Sequence, residues 1–212
     1  MAFGAAGKRV CDRALEAAAL LGLSAIGNHD RVGLSLFSSR VDKFITPRGG
    51  RHHNLRLIRE LVSAVENTPA GQTDIAAALR NACGILVKRS VIFIISDLLD
   101  NSGDLETALK IANRRHDVIV LHTYDPDCGN LPPAITTLYD SENGRVRRLF
   151  RRKKSFNEDF QRCMADKLAM CSRSGVEVIP LPSNADTAGA LVDFFRRRKR
   201  RRHHKTPAGG MV

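Results

Sequence analysis

The stretch that most constrains this chain is Ser90 to Asp100, SVIFIISDLLD. Val91, Ile92, Phe93, Ile94 and Ile95 form an unbroken apolar, largely β-branched run that stops at Ser96 and Asp97. A strand that is apolar on both faces must be covered on both faces, which predicts the centre of a parallel sheet flanked by helices. Such sheets place their chemistry just beyond the carboxyl ends of the strands. Asp97 stands at such an end.

The rest of the chain supplies the flanking layers. Lys8 to Gly27 is predicted helical from Val10, Ala14, Ala17, Ala18, Leu21 and Ala25 at three- and four-residue spacings. Arg31 to Ser38 and Val41 to Thr46 alternate as strands and form a hairpin through Ser38-Ser39-Arg40. Asn54 to Val65 follows as an amphipathic helix. The next helix runs from about Asp74 to Val87, with Thr73 or Asp74 as its N-cap. After the central strand come a helix from Asp104 to about Arg115 and a strand from Asp117 to Thr123. Hairpin arms at Ile135 to Tyr139 and Arg145 to Phe150 flank Glu142-Asn143-Gly144. A helix over Asn157 to Arg173, a strand over Val176 to Leu181 and a helix from Thr187 to about Arg200 close the chain. Alternating helices and apolar strands predict a three-layer α/β fold, a mostly parallel sheet flanked by helices. It forms one domain over residues 1–199, with a basic flexible tail at 200–212.

A chain of 212 residues suits one domain and buries roughly 70% of its unfolded surface. The formal net charge is +12, yet eight basic residues, Arg196 to Arg202 and Lys205, lie beyond residue 195 with no acid among them. The five cysteines are odd in number and none shows C-x-x-C spacing, so neither a disulfide framework nor a zinc site is signalled. Reduced thiols among helical alanines favour a cytoplasmic location. No apolar run reaches about 18 residues, the length of a membrane span. Lys8, Arg9, Asp12, Arg13 and Glu16 interrupt the N-terminal apolar character, unlike a signal peptide.

Three segments, in order, carry a family resemblance: DRVGLSLFSSRVDKFITPRGGRHHNLRLIREL (Asp30 to Leu61), GQTDIAAAL (Gly71 to Leu79) and IFIISDLLD (Ile92 to Asp100). The closing LVDFFRRRKRR also fits. Together they resemble the bacterial family called domain of unknown function 58, a branch of the von Willebrand factor A-like fold, along nearly the whole chain. The resemblance implies a metal-ion-dependent adhesion site, with Thr73 and Asp97 as ligands of Mg²⁺ or another divalent cation. It further implies a protein partner that offers an acidic side chain to that ion, and an association with a MoxR-type AAA+ ATPase in assembly of other complexes.

One part of the family pattern is missing. No Asp-x-Ser-x-Ser precedes the first helix, and MAFGAAGKR resembles the stretch that follows that motif in the family. The expectation is therefore an N-terminally truncated domain lacking its first central strand, from a late start or a gene fragment. Mg²⁺ wants six oxygens in near-octahedral array. Thr73 and Asp97 supply two, so occupancy in this chain should be weak or absent. The strands at Arg31 and Ser90 should flank the missing neighbour, leaving unpaired backbone rows that invite aggregation.

Other candidates carry plainer readings. Asp74 is expected to be a helix cap, Asp100 a loop residue, and Ser35 and Ser38 strand and turn residues. His52, His53, His203 and His204 read as solvated surface, and His116 as a helix-end residue favoured by the dipole. No histidine shares a recognisable triad with Ser or Cys, so the chain is read as a non-enzyme. The Arg196 to Arg202 run suits nucleic acid or an anionic membrane, with a solvated helix end as the preferred reading. Arg147, Arg148, Arg151, Arg152, Lys153 and Lys154 form a second basic patch. Two alternatives to protein binding follow: a basic nucleic-acid-associated module, and a Mg²⁺-dependent hydrolase using Asp97 and Asp100.

Overall fold

The layers are set by one strand whose alternate residues face two different helical covers. A computed structural model describes residues 10–67, 72–99, 103–129, 136–139, 146–149 and 153–204. The elements run α1 (Val10–Gly27), β1 (Val32–Phe37), β2 (Val41–Arg48), α2 (Arg51–Asn67), α3 (Ile75–Ile85), β3 (Val91–Ser96), α4 (Leu105–Arg115) and β4 (Asp117–Tyr124). A short 3₁₀ turn (Pro126–Gly129), β5 (Thr136–Tyr139), β6 (Val146–Leu149), α5 (Lys153–Arg173), β7 (Glu177–Pro182) and α6 (Thr187–His204) complete them. Strands β3, β4 and β7 form a parallel sheet in that order. On β4, Val118 and Val120 join Ile94 and the buried faces of α3 and α4 in one core cluster. Ile119 and Leu121 join Ile179, Leu181 and residues Ala17, Leu191 and Phe194 of α1 and α6 in the other. This is the expected three-layer α/β arrangement.

The expected centre is displaced by one strand. β4 is buried along almost its whole length, whereas β3 pairs only with β4 among the described residues. Val91, at the start of β3, is 52% exposed. An apolar run reports that helices cover both faces of a strand; it does not report how many strands pair with its edges. β1 and β2 make a separate antiparallel hairpin, from Val32↔Arg48 to Phe37↔Val41, with two register irregularities. At Gly33 a Cβ would meet the Ile45 carbonyl oxygen at 2.8 Å, so the hairpin closes only with glycine there. Among the described residues no ladder joins the hairpin to β3.

Several element ends also move. β2 continues through Pro47 to Arg48, as an edge strand tolerates a proline. α2 starts three residues early, at Arg51, with Asn54 N–H already donating to the Gly50 carbonyl. α3 stops at Ile85, where the N–H of Leu86 closes on Ala82. The basic run is continuous helix: α6 extends to His204. Its Arg198 is ion-paired with Asp117, the first residue of β4, and Arg201 donates to Glu177, the first residue of β7, at 3.1 Å. Arg198, with a side chain 21% exposed, is therefore tied down rather than solvated, whereas Arg201 stays largely exposed while paired. His53 is not simply solvated either, since its Nε2 lies 2.8 Å from the Val32 carbonyl oxygen. The Glu142-Asn143-Gly144 turn lies outside the described residues. Its arms are present as the antiparallel pair β5–β6.

Candidate functional site

The site is built where strands end and helices begin. Asp74 caps α3: its Oδ1 accepts the Ala77 N–H at 2.7 Å, in extended backbone geometry. Its own N–H donates to the Ser38 carbonyl at 2.9 Å, which fastens this segment to the carboxyl end of β1. Thr73, half-buried, immediately precedes the cap. Asp74 is thus engaged as a cap, as expected, and Thr73 is the residue immediately before the backbone bond that ties this segment to the end of β1.

At the end of β3 the chain turns through an unusual backbone. Leu98 has φ of +57°, a left-handed conformation costly for a bulky residue, and is fully buried in the cluster that contains Ile75 and Leu105. Burial of that leucine holds the turn, with help from two side chains. Ser96 Oγ accepts the Leu98 N–H at 3.1 Å, and Asp97 Oδ1 accepts the Leu99 N–H at 3.3 Å. Asp97 itself is half-buried. Thr73 and Asp97 therefore stand at the carboxyl ends of β1 and β3. Their helical and turn neighbours, Ile75 and Leu98, pack in one cluster.

The adjacent strand adds residues that sequence reasoning missed. His122 pairs in register with Ser96 and stacks on Tyr124 at 4.8 Å between ring centroids. Burial lowers the His122 pKa, while the Asp97 charge and a hydrogen bond with the Asp97 backbone oppose that shift. Its Nε2 is buried and has no hydrogen-bond partner. Asp125 is buried and accepts the Asp127 N–H at 2.9 Å. Cys128 has its pKa raised by burial, then by Asp125 and Asp97, so it stays a thiol at neutral pH. At the end of β7, the Ser183 carbonyl accepts from Arg13 Nε at 2.8 Å. No sequence signal marked His122, because its position beside Ser96 is set by the register of β3 on β4, two residues short of the end of β4. Arg13 gave none, because a charged residue on a helix is ordinarily exposed.

His116 departs from the dipole reading. It caps α4 but is fully buried, with both ring nitrogens lacking partners, and burial followed by the Arg115 and Arg89 charges lowers its pKa. It is neutral, so the helix dipole has no charge to favour.

For a divalent cation, Thr73 and Asp97 are right in kind, both offering hard oxygen, and make a third of the roughly six ligands Mg²⁺ takes. Among the described residues no group of three or more His, Cys, Asp or Glu is disposed to hold a metal ion. The pair is a partial set. Asp100, the second carboxylate of the hydrolase alternative, lies outside the described residues.

Comparison with known proteins supports the fold. The family described as "Protein of unknown function DUF58" matches residues 1–170. The uncharacterized protein Rv1480 of Mycobacterium tuberculosis and the uncharacterized protein Mb1516 of Mycobacterium bovis are each 28% identical over 198 residues. The match covers 91% of this chain and 62% of theirs, so the chain spans less than two thirds of the relatives' length. Among solved structures, BatB from Bacteroides thetaiotaomicron, a conserved hypothetical protein, is similar with a TM-score of 0.53 at 16% identity, over 89% of this chain and 87% of that one. An aerotolerance-related membrane protein from Bacteroides fragilis, carrying multiple mutations to serines, is similar with a TM-score of 0.50 at 18% identity, over 87% and 88%.

Proposed function

This chain belongs to the family of proteins of unknown function DUF58, and we propose that it acts as a protein-binding, von Willebrand A-like domain whose partner docks at the carboxyl ends of β1, β3 and β4. The observation that carries this reading is the placement of Asp97. It follows the half-buried parallel strand β3 and is held by a strained turn at Leu98, which packs in the same core as Ile75, two residues after Thr73. Rigidly presented oxygen ligands suit recognition, because a partner then meets a preformed surface and little ordering is lost on binding.

A divalent cation would supply charge for a short contact with a partner's Asp or Glu carboxylate. Thr73 and Asp97 would be two of its oxygen ligands. The remaining ligands would come from outside the described residues or from the partner. On the family resemblance, the partner is a MoxR-type AAA+ ATPase. The reading gives the chain no catalytic step. His122 and Cys128 beside Asp97 are both neutral by burial, which suits a binding surface.

The test is retention of this protein by an immobilised MoxR-type ATPase from the same genome, in millimolar Mg²⁺ and in chelator. The Mg²⁺-dependent part of the retention should fall at least about tenfold in Asp97→Ala, the scale expected when a ligand holding a charge-assisted contact is lost. Equal retention of wild type and Asp97→Ala would rule the reading out.

A further inference from the structure

The opposite end of the sheet carries a second surface, independent of the proposed partner site. Three elements deliver basic residues to the amino ends of the parallel strands. The connection from α3 into β3 exposes Lys88 and Arg89. The last turn of α4 exposes Arg114 and Arg115, two residues before β4 begins. The last turns of α6 are drawn to the same end by the pairs Arg198–Asp117 and Arg201–Glu177. Those two pairs neutralise the acids that begin β4 and β7. Arg196, Arg197, Lys199 and Arg200 remain exposed, and none makes an ion pair among the described residues. Asp193, one turn back on α6, is the helix's single acid.

Apolar side chains protrude among these charges. Val87, directly before Lys88, is 93% exposed. Phe195, directly before Arg196, is 40% exposed, and Val192 lies three residues earlier on the same helix flank. Phosphate groups of a nucleic acid would satisfy the cations but offer nothing to Val87 and Val192, and Phe195, the exposed aromatic among them, already packs edge-on against Phe93 and Phe194, which leaves no open face for stacking bases. A bilayer with anionic headgroups satisfies both, since cations sit at the phosphates while short apolar side chains enter the acyl boundary.

We propose that the amino-end face of the sheet, built from Val87 to Arg89, Arg114, Arg115 and the end of α6, docks this domain on an anionic lipid bilayer. Docked this way, the carboxyl ends that carry Thr73 and Asp97 point away from the lipid and stay open to a partner.

The four free cations of α6 each contribute about fivefold to partitioning when near an anionic surface, and the contribution fades beyond a Debye length. The experiment is co-sedimentation of the full chain with vesicles of phosphatidylcholine alone or with 30% phosphatidylglycerol, at about 0.1 M salt. Binding should appear only with the anionic lipid and weaken steeply as salt rises. The quadruple variant Arg196→Glu, Arg197→Glu, Lys199→Glu, Arg200→Glu should lose at least about a hundredfold. Val87→Ser, which leaves the charge unchanged and removes no packing, should weaken vesicle binding severalfold and leave retention on double-stranded DNA unchanged. Asp97→Ala should sediment like wild type, which separates this face from the partner site. Sedimentation indifferent to Val87→Ser, or binding to DNA without binding to anionic vesicles, would overturn the proposal. A melting curve for each variant confirms that it is folded before comparison.

Discussion

Arg13 offers the largest stability effect that can be worked from the contacts. Its side chain is on α1, yet the residue is only 6% exposed. Nε donates to the Ser183 carbonyl at 2.8 Å, and one terminal nitrogen reaches the Thr187 hydroxyl at 3.2 Å and Glu16 at 2.6 Å. It therefore latches α1 to the start of α6 and the end of β7. Arg13→Met keeps the aliphatic stem and removes the donors. Ser183 and Thr187, both buried, then lose their partners, and each unsatisfied buried group costs about 1–3 kcal/mol. Relief from burying the guanidinium offsets part of this, which leaves a net loss of about 2–4 kcal/mol. In a chain of this size 1 kcal/mol moves Tm by about 2–4 °C, so the expected drop is roughly 4–16 °C. Glu16 is a control: its side chain is 44% exposed and water replaces the arginine, so Glu16→Gln should cost under about 0.5 kcal/mol. Urea unfolding followed by circular dichroism, compared at constant slope, measures both. If Arg13→Met costs less than about 0.5 kcal/mol, or Glu16→Gln costs as much as Arg13→Met, the latch reasoning fails.

Other outcomes follow from single residues. Asp74→Ala should lose about 1 kcal/mol in urea unfolding, Asp74→Ser should recover most of it, and the loss should be the same with and without Mg²⁺ if Asp74 is only a cap. Gly33→Ala should cost about 1–3 kcal/mol, read as a lower Tm, because the new Cβ collides with the Ile45 carbonyl. His116 has a folded pKa below its unfolded value, so its contribution is present above about pH 6.5 and is lost as pH falls through the folded pKa. His116→Leu should accordingly raise Tm more at pH 5.5 than at pH 8. A pH-independent difference would count against burial as the cause.

The α/β layering was legible because the periodicities are strong. VIFIIS and DVIVLHT read as buried strands, and the alanine-rich α1 read as a helix that packs closely. What the sequence could not convey was adjacency. Nothing in VIFIIS distinguishes a strand with two neighbours from one with a single neighbour, so β3 and β4 exchanged places as the centre. Thr73 and Asp97 were legible as strand-end and pre-helix residues. His122, Asp125 and Cys128 were not, since their relation to Asp97 arises only from the lateral register of β3 on β4. The arginines of α6 read as a uniform charge run. Only the fold separates Arg198 and Arg201, which clamp the helix to β4 and β7, from the four that face outward.

The hairpin β1–β2 shares no described backbone ladder with the parallel sheet, and among the described residues the two are held together by the Asp74–Ser38 bond at the head of α3, by α3 packing beneath both, by α1 against α2, and by Phe37 on the core that contains Ile94. Side-chain contacts release more readily than a continuous row of amide bonds. The hairpin should accordingly detach as its own cooperative unit while the β3–β4–β7 sheet stays intact. In deuterium labelling, amides of Leu34 and Leu36 should exchange at a free energy below the global value, and those of Val118 to Leu121 only with unfolding of the whole molecule.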